Sequence, residues 1–363
     1  MRQYQLSHRK DFSGLTLHDD IPKPQLSTAT EVMVKIRAIS LNARDLQIAT
    51  DQYPAPHAIK DNLVPVSDAA GEIAEVGEEV EGWKVGDRVC TVCFLGHDQD
   101  EDVQMHSMVR GLGGAIDGVA TEYFTVDHTQ LVRMPSHMTF EQASTLPIAA
   151  ATAQNSLYGH HPVLQAGDTV LCMGTGGVSL FAAQIALNAG AKVIITSSSS
   201  AKLTRVTSLL QPLLRSTSSP DTIQTINYNE HPDWDVKVAE LTGGKKVDFV
   251  IEIGGRATLG KSIRSTRAGG LVAISGYMSD YGKPDEKANQ EDLAKMLLYG
   301  AVNARGNFVG NKVQFEKMNR ALETGGVIPL VDKVFEFEQL KEAYEYLQSG
   351  KQIGKVVVKV SSD

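Results

Sequence analysis

Apolar and polar positions follow two different rhythms along this chain. Residues 31–38 (EVMVKIRA) alternate apolar and charged side chains, the period of a half-buried strand. Residues 70–77 (AGEIAEVG) and 85–90 (VGDRVC) are short apolar runs punctuated by glycine, and residues 120–126 form another. Short strands at that spacing predict a small β-barrel. From about Phe140 the rhythm changes to buried apolar runs alternating with helical patterns. The runs at 169–173, 192–196, 245–253 and 271–275 predict strands of a parallel sheet with helices on both faces. A helix over 337–348 and a last strand over 355–360 close the chain.

The densest chemistry lies between Asp168 and Lys202. An apolar run meets Gly174-Thr175-Gly176-Gly177, after which Val178, Phe181, Ala182, Ile185 and Ala186 recur on one helical face. Strand, glycine turn, helix and strand form a unit that wraps a pyrophosphate. Glycine lets the backbone approach the phosphates, and the helix N-terminus favours their charge. The third position of the glycine fingerprint holds Ser179, so the turn alone also fits a purely steric role. An NAD site usually carries an acid about twenty residues on, bound to the ribose 2′-hydroxyl. Here residues 196–200 read Thr-Ser-Ser-Ser-Ser, with Lys202 and Arg205 just beyond. Ser197, Ser198 and Lys202 can bind a 2′-phosphate that an acid would repel, so the expected cofactor is NADP(H). The bland alternative is a serine helix cap followed by a surface lysine.

Bulk composition narrows the classes further. The chain has 363 residues, 42% of them hydrophobic, enough for more than one average domain. Lys plus Arg number 35 against 43 Asp plus Glu, a net charge of −8, with no basic stripe of the kind that tracks nucleic acid. The N-terminal segment lacks an apolar signal core, and no run of about 18 apolar residues occurs. A soluble cytoplasmic protein, with neither membrane nor nucleic acid as partner, is expected. Cys90, Cys93 and Cys172 sit in or beside strand-like apolar runs, so no disulfide framework is expected.

Several words of the sequence, in order, resemble the medium-chain dehydrogenase/reductase superfamily. They are VKIRAISLNARDL (34–46), PVSDAAGEIAEVG (65–77), VGDRV (85–89) and LGGAIDGVATEY (112–123). TLPIAAATA (145–153), AGDTVLCMGTGGVSLFA (166–182), INY (226–228) and GKVVVKV (354–360) follow. The resemblance implies an α/β fold: a GroES-like β-barrel catalytic domain over 1–131 and 308–363, and a Rossmann doubly wound parallel sheet over 132–307. Within the superfamily the chain is similar to the zinc-free quinone and enone reductases. Zinc members place Cys where this chain has Asn42, and a His-Glu pair where it has Ser67-Asp68. Zinc takes thiolate and imidazole, and Cys90-x-x-Cys93 has no second pair for a structural site, so no metal is expected. His97 and His106, in an acidic loop over 96–110, are a faint alternative ligand pair.

The resemblance also suggests roles. Asn42 would lie near nicotinamide and substrate, and Thr152 would contact the nicotinamide ribose or carboxamide. Tyr53 stands where related thioester reductases carry a proton-donating tyrosine, although it could merely line the pocket. Asn42 could merely cap a turn. Ser67 and Asp68 would form a polar pocket floor. Gly174, Thr175, Gly176, Gly177 and Val178 would face the pyrophosphate. Tyr228, Gly254, Gly276 and Tyr277 follow later strands at the ligand crevice, and Phe308, Val309 and Gly310 would close over the nicotinamide. An insertion over 209–225 reads as a lengthened surface loop. The expected activity is NADPH-dependent, zinc-independent reduction of α,β-unsaturated carbonyls or quinones. The alternatives are a metal-free NADP-dependent alcohol/ketone oxidoreductase and a non-catalytic dinucleotide binder. A small carbonyl substrate is the expected partner. A homodimer is expected through the sheet edge near residues 302–308.

Overall fold

A computed structural model describes residues 1–54, 57–99, 109–214, 216, 218–280 and 291–361. The chain divides into two compact units, Met1–Ala151 with Asn311–Asp363, and Thr152–Gly310. Sequence reasoning put the first boundary at 131/132. The stretch between belongs to the first unit because its pieces pack there. Strand β7 (Leu131–Arg133) pairs with β5 (Arg88–Thr91), and a π-helical turn over Leu146–Ala150 packs on both β5 and β4 (Asp68–Val76).

The first unit is built on a seven-stranded sheet. Its spine is β3 (Glu31–Leu41), which pairs antiparallel with β4, β6 (Tyr123–Asp127) and β15 (Lys355–Lys359). The alternation at 31–38 thus marks a strand, though its burial is nearly continuous: Val32, Met33, Val34, Ile36, Ala38 and Ile39 are all buried. Successive side chains point to opposite faces of the sheet, so consecutive buried positions mean that both faces are covered there. The run at 85–90 is strand only from Arg88; Val85 is 60% exposed and stands in the preceding turn.

The second unit is a six-stranded parallel sheet in the order β10-β9-β8-β11-β12-β13. These strands are β8 (Thr169–Cys172), β9 (Lys192–Ser197), β10 (Ile223–Asn227), β11 (Val247–Glu252), β12 (Thr266–Ile274) and β13 (Asn303–Gly306). From β8 the chain runs outward one way through β9 and β10, then returns to β11 on the other side of β8. The reversal opens a crevice at the C-terminal ends of β8 and β11, where doubly wound sheets bind ligands. One face of the sheet carries Leu171, Ile194, Ile226, Val250 and Val272, one from each of five strands, packed against Trp234, Val238 and Ile263. Burying each such side chain contributes about 1.5–3 kcal/mol. The helix Gly177–Asn188 is buried over most of its surface, Ser179 and Gln184 included, more than its one apolar face predicted.

Candidate active site

In the second unit, β8 runs straight into the glycine turn. Gly174 has φ +76°, a conformation that strains any other residue, and a side chain at Gly176 would meet nothing within 4 Å. The helix Gly177–Asn188 begins here, and no side chain caps its first turn. An open glycine backbone leading into an uncapped helix N-terminus, at the sheet's reversal point, fits a pyrophosphate. Ser179, at the substituted third glycine position, donates its hydroxyl to the carbonyl of Met173 and braces the turn.

Across the crevice, the loop after β11 is organised by a residue the sequence did not single out. Glu252, fully buried, accepts from the backbone of Gly254 (2.7 Å) and Gly255 (2.9 Å) and from the hydroxyls of Thr258 and Ser262. Gly255 has φ +88°, and a side chain there would run into Tyr277. A side chain on Gly276 would press on the carbonyl of Ile253 at 2.7 Å. Tyr277 is 43% exposed, and its hydroxyl accepts from Arg256 at 3.4 Å.

The serine tract is partly spent on local structure. Ser197 Oγ accepts from the backbone of Ser199 (3.2 Å), and Ser199 Oγ caps the helix Ser200–Leu210 by accepting from Lys202 N (3.3 Å). Both hydroxyls keep a hydrogen to donate, and Ser198 is exposed. Tyr228 N donates to Ser197 O at 3.0 Å. Sequence reasoning found no acid at the end of β9, but an acid arrives after β10. Glu230 accepts from Ser200 Oγ (2.6 Å) and Asn227 Nδ2 (2.5 Å). The 209–225 stretch starts as helix, with Leu210 buried, and ends in β10 from Ile223.

At the other end of the unit, Thr152 is buried at the start of the helix Ala151–Tyr158. Asn307 Nδ2 lies within hydrogen-bond distance of Thr152 O (3.2 Å), Ser156 Oγ (2.8 Å) and Ser275 Oγ (3.0 Å). Asn155 Nδ2 donates to Phe308 O at 2.8 Å. The helix therefore fixes residues 307–308, and with them the start of the segment continuing through Val309 and Gly310.

The first unit assembles the other half of the candidate residues. Asn42 follows β3 and precedes the helix Ala43–Ala49, its own N–H donating to Asp45 Oδ2 at 2.7 Å. It is the N-cap residue of that helix and forms a capping box with Asp45. Asn42 Nδ2 donates to Asp68 Oδ2 (2.9 Å), and Lys355 Nζ donates to Asn42 Oδ1 (2.6 Å) and to Leu41 O (2.8 Å). Lys355 Nζ is 3.7 Å from Asp68 Oδ2, with both side chains buried. Strand register brings these together: Leu41 pairs with Val356, and Ser40 with Asp68. Asp68 also accepts from Ser67 Oγ (3.2 Å) and Ile148 N (3.3 Å). Burial raises the Asp68 carboxyl against the pull of Lys355, while burial lowers the Lys355 ammonium against the pull of Asp68. Asp45, also buried, is pushed up to about 6 by desolvation, and its Oδ1 has no hydrogen-bond partner.

Tyr53, half-buried, lies under Arg44, whose guanidinium carbon is 5.3 Å from its ring centre. Arg44 Nη1 donates to Leu112 O at 2.8 Å. Cys93, its thiol pushed up to about 12 by burial, lies beside Arg44 and Ser67. Asn42, Ser67 and Asp68 are thus brought together as the sequence suggested, and Lys355, Arg44 and Asp45 were missed. The one signal for Lys355 was a lysine opening the apolar run KVVV.

An amide, a hydroxyl and an ammonium around one carboxylate do not make the thiolate and imidazole set that zinc takes. Among the described residues no group of three or more His, Cys, Asp or Glu could hold a metal ion. Cys90, Cys93 and Cys172 are buried and unbridged. His106 lies outside the described residues. No described helix is long and apolar enough to cross a membrane.

Residues 28–136 match the family model described as alcohol dehydrogenase GroES-like domain, and 177–327 the one described as zinc-binding dehydrogenase. A zinc-type alcohol dehydrogenase-like protein of Schizosaccharomyces pombe is 40% identical over 341 residues, 93% of each chain. The chain belongs to the medium-chain dehydrogenase/reductase superfamily. A crotonyl-CoA reductase of Streptomyces collinus is 26% identical over 94% of this chain and 80% of its own. Among solved structures, a putative alcohol dehydrogenase from Sinorhizobium meliloti 1021 has a TM-score of 0.82 at 30% identity, covering 99% of both chains. The GroES-like domain and Rossmann sheet expected from the sequence are both present. This medium-chain dehydrogenase/reductase is an oxidoreductase of a family that binds a nicotinamide dinucleotide.

Proposed function

We propose that this protein is an NADPH-dependent, zinc-independent reductase of carbon–carbon double bonds conjugated to a carbonyl, or of quinones. The observation that carries the reading is the Lys355 ammonium bonded to Asn42 and buried beside Asp68. Asp68 is thereby engaged by an amide and an ammonium, and Asn42 and Ser67 offer zinc neither thiolate nor imidazole. Without a Lewis acid to polarise a simple alcohol or ketone, hydride addition to an already activated double bond is the easier chemistry. The relative named crotonyl-CoA reductase supports that substrate class.

When bound, reduced nicotinamide supplies the hydride. The glycine turn at Gly174–Gly176 and the uncapped helix behind it hold the pyrophosphate, Ser197, Ser198 and Lys202 the 2′-phosphate, and Thr152 the nicotinamide end. Asn42 donates to the substrate oxygen as negative charge develops on it. The Tyr53 hydroxyl gives a proton to the α-carbon, leaving a phenolate beside the Arg44 guanidinium.

Deuterium from C4-labelled NADPH is expected at the β-carbon of a reduced enone. Tyr53→Phe is expected to cost about a hundredfold in rate, the scale of general-acid loss. Label on a carbinol carbon would establish carbonyl reduction instead, and a loss under about tenfold would make Tyr53 a lining residue. Tight NADPH binding with no turnover on enones, quinones or ketones would leave a non-catalytic binder.

A further inference from the structure

Asn42 is held from behind by two buried groups of opposite chemistry. An ammonium offers only hydrogens, and a carboxylate offers only lone pairs. The side-chain amide therefore has one possible orientation, with Oδ1 toward Lys355 at 2.6 Å and Nδ2 toward Asp68 at 2.9 Å. The lysine takes the amide oxygen in a charge-assisted bond. Asp68 takes one Nδ2 hydrogen. The second Nδ2 hydrogen is left for the partly exposed side of Asn42.

We propose that Lys355 is a positioning residue that fixes Asn42 as a hydrogen-bond donor and strengthens it. The site would thereby select substrates whose reacting oxygen gains negative charge in the transition state. An ammonium bonded to Oδ1 draws electron density from the amide, so its free N–H binds an oxyanion more strongly. With the amide turned round, Oδ1 would face the oxygen and repel it. The same lysine thus sets both the direction and the strength of the contact. A strand residue needed only for packing would be apolar, since an ammonium is costly to bury unless it is fully paired. Here Leu41 O, Asn42 Oδ1 and Asp68 pair it.

The inference rests on the reading of Asn42 as a substrate contact, and the test separates the two. Lys355→Met and Lys355→Arg are made in the parent and in Asn42→Ala, then assayed with NADPH and whichever of 2-cyclohexenone, benzoquinone or cyclohexanone the parent reduces. Lys355→Met is expected to lower kcat about tenfold or more, below the loss of a direct oxyanion donor, with the KM for NADPH within about twofold. Lys355→Arg restores most of the rate. In the Asn42→Ala background Lys355→Met should change kcat by less than about twofold, because the two act as one unit. Equal losses in both backgrounds would overturn the proposal, as would a fall in Tm without a fall in kcat. Should Lys355→Met not fold, Lys355→Gln, neutral but still able to donate, carries the same comparison.

A reading free of turnover is the Asn42 side-chain amide pair in a ¹⁵N–¹H spectrum, identified by its loss in Asn42→Ala. Lys355→Met should move it and speed its solvent exchange. An unmoved pair would overturn the proposal even in a protein that reduces nothing. Reduction of cyclohexanone alone would instead overturn the enone reading and leave the lysine–asparagine coupling standing.

Discussion

The Asn155 side chain donates to the carbonyl of Phe308 across 2.8 Å, tying a helix residue to the segment that follows β13. If residues 308–310 close over the nicotinamide, removing this bond loosens only that end of the cofactor. Asn155→Ala is expected to weaken NADPH binding by about 1 kcal/mol, the net value of one hydrogen bond. Binding of 2′,5′-ADP, which lacks the nicotinamide, should be unchanged. Equal weakening of both ligands, read by fluorescence titration, would place the effect elsewhere.

If Ser197, Ser198 and Lys202 hold a 2′-phosphate, Lys202 and Glu230 should act on cofactor choice in opposite senses. Lys202→Ala should cost about 1.5–3 kcal/mol in NADPH affinity, the scale of a hydrogen bond to a charged group, and leave NADH almost untouched. Glu230→Gln removes a negative charge beside Ser200 and should favour NADPH over NADH by several-fold. Equal changes for the two cofactors in either variant would count against a 2′-phosphate site here.

Activity should not depend on a metal. Dialysis against a strong chelator is expected to leave turnover and Tm unchanged, and protein purified without a metal-affinity tag should carry no stoichiometric zinc by elemental analysis.

Asp45 makes stability depend on pH in a defined direction. Its carboxyl rises from an ordinary 3.8 to about 6 in the folded chain, with Arg44, Asp68 and Lys355 as charged neighbours. A raised folded value means the folded state binds the extra proton between those limits. The stabilising contribution is therefore complete below about pH 4 and lost as pH rises through 6. Asp45→Asn keeps an acceptor for the Asn42 N–H and removes the titration. Its stability relative to the parent should be higher at pH 8 than at pH 4, by on the order of 1–3 kcal/mol in denaturant melts. A pH-independent difference would rule the effect out.

Among the described residues β13 pairs with β12 alone, and the nearby helix Leu293–Gly300 leaves Leu298 73% and Tyr299 80% exposed. An unpaired edge beside exposed apolar side chains suits pairing with a second copy. Light scattering at micromolar concentration should give a dimer, and Leu298→Glu with Tyr299→Glu should shift it toward monomer. A monomeric parent would defeat the expectation.

The sequence alone determined what is encoded locally. The period-two run of β3, the strand–glycine–helix–strand unit around Gly174, and Asn42 and Ser67 at positions where relatives carry zinc ligands are properties of short windows. Hydrophobic period and turn chemistry act over a few residues, so they are legible without a fold. The tertiary structure decided what is brought from far away. Lys355 meets Asn42 across 313 positions of sequence because β15 pairs with β3 in one register. Glu230 reaches Ser200 because β10 lies beside β9, a contact that no window around the serine tract contains. The boundary at Ala151 likewise follows from where β7 and the Leu146–Ala150 turn pack. Which strands become neighbours, and in which register, is set by burial summed over the whole core. No local window of residues carries that sum.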